Sequence, residues 1–330
     1  MKARGVWFVA PFEVELRDVE VPEPSDGQVL VSTRYSGISG GTEMLAYRGQ
    51  LDPELPLDER LGGLRGTFRY PFAYGYSVVG VVERSRGPVP EGSLVFAFHP
   101  HQDRLVVDAA DVLALEGVDP RVATLYPIVE TGLQVTLDAA PRLGDVVAVV
   151  GLGPVGTVAA ALLSRAGARV LGADRRAGAR TAAAALGVTA VDPADLGAEV
   201  RDRTSGRGCD VVVEASGDPA ALGPALDLLA HEGTALVCSW YGTKAVALPL
   251  GGAFHRRRLV IRSSQVSTIP AALSARWDVR RRREEARRLL GELPLRPLAT
   301  HEFAFEEAPV AYAALDRGDD GLLHAALRCG

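Results

Sequence analysis

Three regularly spaced glycines and one carboxylate mark the part of this chain that is suited to binding a phosphate. Gly151, Gly153 and Gly156 form the pattern G-x-G-x-x-G, and Asp174 follows 18 residues after the last of them. Such glycines let backbone N–H groups approach a pyrophosphate, and a carboxylate at this distance accepts hydrogen bonds from ribose hydroxyls. Because glycine turns after strands are common, the flanking segments decide what the pattern means.

Those segments are the ones that a dinucleotide site needs. The apolar run Val146–Val150 predicts a strand buried on both faces of a parallel sheet, and residues 157–165 are rich in helix formers and stop before Gly167. Later strands are predicted at 169–173, 210–215, 234–238 and 259–263. The predicted fold class is therefore α/β, a doubly wound parallel sheet of the Rossmann type. A sheet that binds no nucleotide is the alternative.

The candidate cofactor-binding residues lie at the glycine turn or follow a later strand. They are Gly151, Gly153, Pro154, Val155, Gly156, Asp174, Arg175, Ser216, Ser239 and Tyr241. Asp174 favours NAD, because its carboxylate would repel the 2′-phosphate of NADP. NADP is not excluded, since the adjacent Arg175 and Arg176 could hold that phosphate.

Short strands and turn clusters predict a β-rich domain at the N-terminus. Residues 1–127 together with 272–330 are assigned to this domain and residues 128–271 to the dinucleotide domain, with the cofactor expected between them. Residues 50–68 are interpreted as a polar surface loop. The arginine-rich segment 275–291 predicts a helix with a solvated charged face, or alternatively a patch for an anionic substrate or partner.

Composition narrows the classes of protein. The hydrophobic fraction of 47% suffices for packed cores, and a net charge of −5 gives no reason to expect a nucleic-acid partner. The three cysteines have neither metal nor disulfide spacing. No segment resembles a signal peptide or an apolar membrane span, so a soluble cytoplasmic protein is expected.

Several motifs together resemble a known superfamily. They are GISGGTE at 37–43, GYSVVGVVE at 75–83, GLGPVG at 151–156 and THEFAFEEAPVAYAAL at 300–315. Their order is similar to that of the medium-chain dehydrogenase/reductase superfamily. With HPHQD at 99–103, they are most similar to its subgroup around the bacteriochlorophyllide hydroxyethyl dehydrogenase. The resemblance implies a GroES-like catalytic domain joined to a Rossmann domain.

The sequence departs from the metal-dependent members of that superfamily. By motif position, their catalytic zinc ligands correspond to Ser39, Tyr76 and Pro127, which do not form a tetrahedral zinc site. The four-cysteine lobe that holds a structural zinc is missing too. The resemblance is therefore to zinc-independent members, and no bound metal is expected.

Without zinc, either hydrogen-bond donors or the substrate itself must stabilise the charge that develops on oxygen during hydride transfer. The candidate catalytic residues are Ser39, Thr42, Tyr76, His99 and His101. Either histidine could donate a proton, or could simply be a loop residue bonded to backbone. Tyr76 could donate a hydrogen bond to a substrate carbonyl, or could only fill the volume that zinc occupies in the metal-dependent members. Glu43 is interpreted as structural, paired with an arginine.

The resulting hypothesis is a zinc-free NAD(P)-dependent oxidoreductase acting on a secondary alcohol or ketone. One alternative is an enone or quinone reductase, in which hydride goes to the carbon β to a carbonyl. Another is a protein that binds a dinucleotide without turnover. A homodimer is expected, because the apolar last strand at 259–266 would otherwise leave an exposed sheet edge.

Overall fold

The computed structural model describes residues 1–319 and 321–330. Its internal contacts define two compact units. The first comprises residues 1–127 and 290–330, and the second comprises residues 128–289. Each unit has its own hydrophobic core.

Residues 272–289 group with the second unit, whereas the sequence analysis assigned them to the β-rich domain. The reason is an ion pair inside the second unit. The guanidinium of Arg282, only 2% exposed, lies 2.9 Å from the carboxylate of Glu130 and donates to Gln134 at 2.7 Å. One arginine of the run that was predicted to be solvated is therefore buried.

The N-terminal part of the chain consists mainly of strands. Its elements are β1 (Lys2–Ala10), β2 (Glu13–Glu20), β3 (Gln28–Ile38), α1 (Thr42–Tyr47), β4 (Phe72–Ala73), β5 (Val78–Ser85), β6 (Leu94–Ala97), β7 (Arg104–Asp108), β8 (Val112–Ala114), α2 (Pro120–Ala123) and α3 (Tyr126–Ala139).

Strands and helices then alternate. The elements are β9 (Val146–Val150), α4 (Pro154–Arg165), β10 (Arg169–Ala173), α5 (Ala177–Ala185), β11 (Ala190–Val191), α6 (Pro193–Thr204), β12 (Cys209–Glu214), α7 (Leu222–Asp227), β13 (Leu229–Val237), β14 (Val260–Ser263) and α8 (Val279–Glu292). Helix α8 begins four residues later than predicted, because the Asp278 carboxylate accepts the N–H of Arg281 and caps it.

The chain ends with β15 (His301–Ala304), α9 (Ala308–Arg317) and β16 (Ala325–Arg328), which return to the first unit. There, β16 pairs with β3 in a sheet ordered β15-β16-β3-β5-β6-β8, and β7 also pairs with β3. A second sheet is ordered β2-β1-β4. This β-rich unit is the GroES-like domain that the resemblance implied.

In the second unit the described strands form one parallel sheet, ordered β11-β10-β9-β12-β13-β14. The prediction of a Rossmann doubly wound sheet is confirmed. The chain reverses its direction of winding between β9 and β12, and ligands of such sheets bind beyond the carboxyl ends of the strands at that point. Among the described residues, no helix combines the length and apolarity needed to cross a bilayer.

Candidate functional site

The glycine turn joins the carboxyl end of β9 to the first turn of α4. Gly151 has a φ of +93°, and a Cβ there would lie 2.6 Å from the backbone nitrogen of Ser216. At Gly156 a Cβ would lie 1.9 Å from the carbonyl oxygen of Gly151. At Gly153, in contrast, the nearest atom is an Arg176 nitrogen at 3.9 Å, so the backbone there is open to a ligand.

The first helical turn of α4 completes this cradle. Pro154 is the first residue of α4 and Val155 the second, and both are half-buried. Proline suits the first position of a helix, because its missing N–H would have no partner there. The positive end of the helix dipole points at the glycine turn, as an anion site requires.

Asp174 follows β10 and lies against the same turn. Its carboxylate accepts the backbone N–H of Leu152 and that of Arg176, each at 2.9 Å. The Arg176 guanidinium lies 3.3 Å from it. The side chain of Arg175, the arginine singled out from the sequence, is exposed instead. The arginine beside Asp174 is thus Arg176.

A buried carboxylate at the end of β12 organises the remaining candidates. Glu214 has no exposed surface and accepts the N–H and hydroxyl of Ser216 and the phenol of Tyr241 at 2.7, 2.5 and 2.5 Å. Ser239 accepts the N–H of Gly217 at 2.9 Å. Burial and the charge of Glu214 raise the pKa of Tyr241, so its phenol stays protonated.

Glu214 was missed by the sequence reasoning, which treated it only as part of a strand. Its signal was available, since a carboxylate ending an otherwise apolar strand needs hydrogen-bond donors. The predicted cofactor residues thus follow β9, β10, β12 and β13, whose carboxyl ends share one edge of the sheet.

The first unit holds a cluster of three hydroxyl groups, from Ser39, Thr42 and Tyr76, all half-buried. Ser39 follows β3, Thr42 begins α1, and Tyr76 precedes β5. Burial and the nearby charge of Glu43 raise the pKa of Tyr76 to about 12, although the hydroxyls of Ser39 and Thr42 donate to its phenol oxygen and oppose this shift. At neutral pH the cluster therefore offers neutral O–H groups.

Beneath this cluster lies a fully buried network centred on Glu43. Its carboxylate accepts the backbone N–H of Ser39 at 2.8 Å, the Nε2–H of His101 at 2.8 Å and the phenol O–H of Tyr312 at 2.5 Å. The partner of Glu43 is a histidine, not the arginine expected from the sequence. A histidine is the partner because the loop before β7 places the ring of His101 over Gly75.

His101, a catalytic candidate from the sequence, lies inside this buried network. Its ring is completely buried, with Nδ1 2.6 Å from the hydroxyl of Ser36 and Nε2 on Glu43. A Cβ on Gly75 would lie 2.6 Å from this ring. With both ring nitrogens bonded and no exposed surface, His101 is placed to hold the Glu43 carboxylate in position.

His99 occupies a different environment. Its Nδ1–H donates to the carbonyl of Pro100 at 3.0 Å, which leaves the lone pair of Nε2 available. Burial lowers the pKa of His99, and the nearby His101 lowers it further. The half-buried ring is therefore uncharged at neutral pH.

Comparison with known proteins agrees with this geometry. Residues 154–278 match the family model described as zinc-binding dehydrogenase. The chain is 28% identical to D-guloside 3-dehydrogenase of Escherichia coli K12, covering 86% of this chain and 88% of that protein. It is 26% identical to L-galactonate-5-dehydrogenase of the same organism, covering 78% and 82%. It is also 26% identical to 2-desacetyl-2-hydroxyethyl bacteriochlorophyllide A dehydrogenase of Cereibacter sphaeroides, covering 95% and 94%.

Solved structures share the fold at lower identity. A short chain alcohol dehydrogenase from Escherichia coli CFT073, complexed with NADH, superposes with a TM-score of 0.77 at 18% identity and covers 99% of both chains. A protein of Sinorhizobium meliloti described as a zinc-binding dehydrogenase, bound to NADP, gives 0.77 at 18% identity and covers 100% of both.

The Rossmann sheet, the β-rich unit and these relatives define an oxidoreductase of the dehydrogenase class. More particularly, residues 154–278 match the zinc-binding dehydrogenase family model, and the chain is similar over most of its length to named dehydrogenases, in line with the resemblance of its motifs.

Proposed function

We propose that this chain is a zinc-free, NAD(P)-dependent dehydrogenase that transfers a hydride between a nicotinamide and a secondary alcohol or ketone. The observation that carries the proposal is the cluster of Ser39, Thr42 and Tyr76. Ser39 and Tyr76 stand at the motif positions of zinc ligands, and Tyr76, which accepts from Ser39 and Thr42, keeps its own O–H for a substrate oxygen.

The groups around this cluster do not fit a catalytic zinc. The phenol of Tyr76 stays protonated at neutral pH, and a serine hydroxyl is a poor ligand. The imidazole of His101 has both nitrogens bonded, and the Glu43 carboxylate already accepts three hydrogen bonds. In the part of the chain that the structure describes, no three or more His, Cys, Asp and Glu side chains are grouped to hold a metal ion.

In the proposed reduction, hydride reaches the carbonyl carbon and negative charge develops on the oxygen. Tyr76 donates a hydrogen bond and then its proton to that oxygen, and the hydroxyls of Ser39 and Thr42 stabilise the phenolate. The oxidation runs through the same step in reverse: Tyr76 takes up the carbinol proton as the hydride leaves, and gives its own proton to a base. Neutral His99, whose Nδ1–H is bonded to the Pro100 carbonyl, is the proposed base, and in the reduction it returns that proton to the Tyr76 phenolate.

The glycine turn fits a dinucleotide, which when bound supplies the hydride acceptor or donor. Gly153 would admit the pyrophosphate at the start of α4, and Asp174 would accept the ribose hydroxyls. The NADH and NADP seen in structures of the same fold support the class of cofactor.

We further propose that NAD(H) is preferred over NADP(H). Asp174 is held in place by two backbone N–H groups, so a 2′-phosphate would meet a fixed negative charge, at a cost of about 1 kcal/mol or more. The guanidinium of Arg176 offsets part of this repulsion. Fluorescence titration should therefore show NADH binding about tenfold more tightly than NADPH.

Two variants separate the contributions to this preference. Asp174→Ala should weaken NADH binding and leave NADPH binding unchanged or tighter, whereas Arg176→Ala should weaken only NADPH. Arg175→Ala, at an exposed side chain, is the matched control. NADPH binding as tight as that of NADH to the unaltered protein would reverse the proposed preference.

The relatives support a secondary carbinol as the reacting group, because their names describe oxidation at ring or chain positions of sugar derivatives and at a hydroxyethyl group. Since the bacteriochlorophyllide and sugar enzymes are about equally similar to this chain, likeness to the former subgroup does not select a macrocyclic substrate.

We also propose a homodimer through the β14 edge, where Val260 is 48% exposed. A monomer in light scattering would contradict this.

The test of the proposed function combines metal analysis with product analysis. Protein purified without metal-affinity steps should contain well under one zinc per chain, and a chelator should leave its rate with NAD⁺ and secondary alcohols unchanged. Near-stoichiometric zinc lost together with activity would overturn the zinc-free proposal. Reduction of an enone at carbon without alcohol turnover would favour a reductase, and cofactor binding without any turnover would favour a binding protein.

A further inference from the structure

A closed surface loop beside the hydroxyl cluster forms a charged cavity. Residues 55–68 are here named the recognition loop, and the two ends of this loop are hydrogen-bonded to each other. The N–H of Phe68 donates to the carbonyl of Leu55 at 3.1 Å, and the N–H of Leu57 donates to the carbonyl of Gly66 at 3.0 Å. Leu57, Leu64 and Phe68 are buried in the core of the first unit, at most 4% exposed. The loop is therefore anchored, and its polar residues form a defined surface.

The recognition loop lies next to the proposed reacting groups. A Cβ on Gly63 would lie 3.4 Å from the carbonyl of Phe98 and 3.9 Å from the ring of His99. Tyr76 packs against the same apolar cluster as the loop, and the charge of Asp58 contributes to raising the pKa of Tyr76. The loop, His99 and Tyr76 all belong to the first unit.

The loop borders an open surface pocket of about 380 Å³, which is large enough for a small molecule. Its charged lining comprises Asp58, Glu59, Arg60 and Arg65. Asp58 is already engaged, since its carboxylate accepts the N–H groups of Arg60 and Leu61 at 2.7 Å each. Of the other three charged side chains of the lining, Arg60 and Arg65 are cationic and Glu59 is anionic.

Two guanidinium groups retain donors for a ligand. Arg65 donates from Nε to the carbonyl of Gly62 at 3.1 Å, and its two terminal nitrogens have no hydrogen-bond partner among the described residues. Within residues 1–319 and 321–330, the Arg60 guanidinium has no ion-pair or hydrogen-bond partner. The planar fork of arginine matches a carboxylate in two parallel hydrogen bonds, and Glu59 can accept from a hydroxyl.

We propose that the recognition loop binds the acidic end of a polyhydroxylated carboxylic acid, with Arg60 and Arg65 as specificity-determining residues. The carbinol to be oxidised would extend from the cavity toward Tyr76. This inference rests on the proposed function for the reaction itself, whereas recognition of the carboxylate rests on the loop alone.

The experiment compares galactonate with galactitol, which differ by a carboxylate in place of a terminal carbinol. Titration calorimetry on the NADH-saturated protein should show galactonate binding about tenfold or more tighter. Arg60→Ala and Arg65→Ala should each remove most of that difference without changing galactitol binding, and Glu59→Gln should tighten galactonate. Arg69→Ala is the matched control, because Arg69 is exposed just beyond the loop and pairs with Glu54.

Equal binding of the two probes by the unaltered protein would overturn the inference, as would arginine variants that weaken both probes equally. Because binding is measured without turnover, a failure of the proposed chemistry leaves this readout intact. If turnover occurs, the same variants should raise KM for galactonate and leave kcat within about threefold.

Discussion

Tyr76 is the residue on which the proposed chemistry depends most. It stands where metal-dependent members of the superfamily have a ligand, but its pKa of about 12 makes it a proton donor at neutral pH. The buried network of Glu43, His101 and Tyr312 holds the backbone of Ser39 beside it. In the proposed mechanism these protein groups act in place of a Lewis acid. The free-energy cost of burying Glu43 is offset by its three hydrogen-bond donors.

Removal of a single oxygen tests this role. Tyr76→Phe should lower kcat by about a hundredfold, or ~3 kcal/mol, with KM little changed, because the donor acts mainly on the charge that develops in the transition state. Steady-state kinetics and a melting curve would be compared with those of Tyr35→Phe, a tyrosine that bonds only Glu302 among the described residues. A kcat within threefold of the original would assign the donor role to another hydroxyl.

At the scale of elements, the glycine turn serves two separate requirements. Gly156 lets α4 pack against the turn, since any Cβ would collide with the carbonyl of Gly151. Gly153 has ample room in the fold and faces only the Arg176 guanidinium. The two glycines are thus required for different reasons, one for packing and one for ligand approach.

This difference predicts opposite outcomes for two alanine variants. Gly156→Ala should destabilise the protein by about 1–3 kcal/mol, because overpacking forces the backbone apart. Gly153→Ala should keep the stability within about 0.5 kcal/mol but weaken NADH at least tenfold, since its methyl occupies the approach to the pyrophosphate. Urea unfolding and fluorescence titration would measure both. Unchanged NADH affinity in Gly153→Ala would place the pyrophosphate elsewhere.

At the scale of the whole chain, the C-terminal segment completes the unit that the N-terminal segment begins. His324 is buried just before β16, and its Nε2–H donates to the hydroxyl of Thr124 at 2.9 Å. A Cβ on Gly37 would lie 3.0 Å from the same ring. Burial, assisted by the charge of Arg121, lowers the pKa of His324 to about 4.

This depressed pKa makes the stability depend on pH. The unfolded chain binds the proton near pH 6.5, whereas the folded chain binds it near pH 4, so stability is complete above 6.5 and falls as the pH drops toward 4. Between pH 7 and 5 the loss should be about 2 kcal/mol. Between pH 7 and pH 5, urea unfolding should show a smaller loss of unfolding free energy for His324→Gln than for the unaltered protein. The control His231→Gln, at an exposed histidine, should lose as much as the unaltered protein. If His324→Gln loses as much stability as the unaltered protein, the pH dependence does not come from His324.

The sequence alone determined the features that depend on local spacing. The parallel sheet followed from apolar runs such as Val146–Val150, because a strand buried on both faces has no polar side. The glycine turn and Asp174 followed from fixed spacing along β9, α4 and β10. The resemblance to the medium-chain dehydrogenase/reductase superfamily followed from motifs distributed over nearly the whole chain.

Only the tertiary structure decided which side chains share an environment. It paired Glu43 with His101, placed Arg176 rather than Arg175 beside Asp174, and buried Arg282 against Glu130. These partners are separated by 58 and 152 residues in the first and last cases. No periodicity records such contacts, because they arise from how loops and helices pack. The types of residue that could do chemistry were therefore readable from the chain, but whether each one is buried or open to a ligand was not.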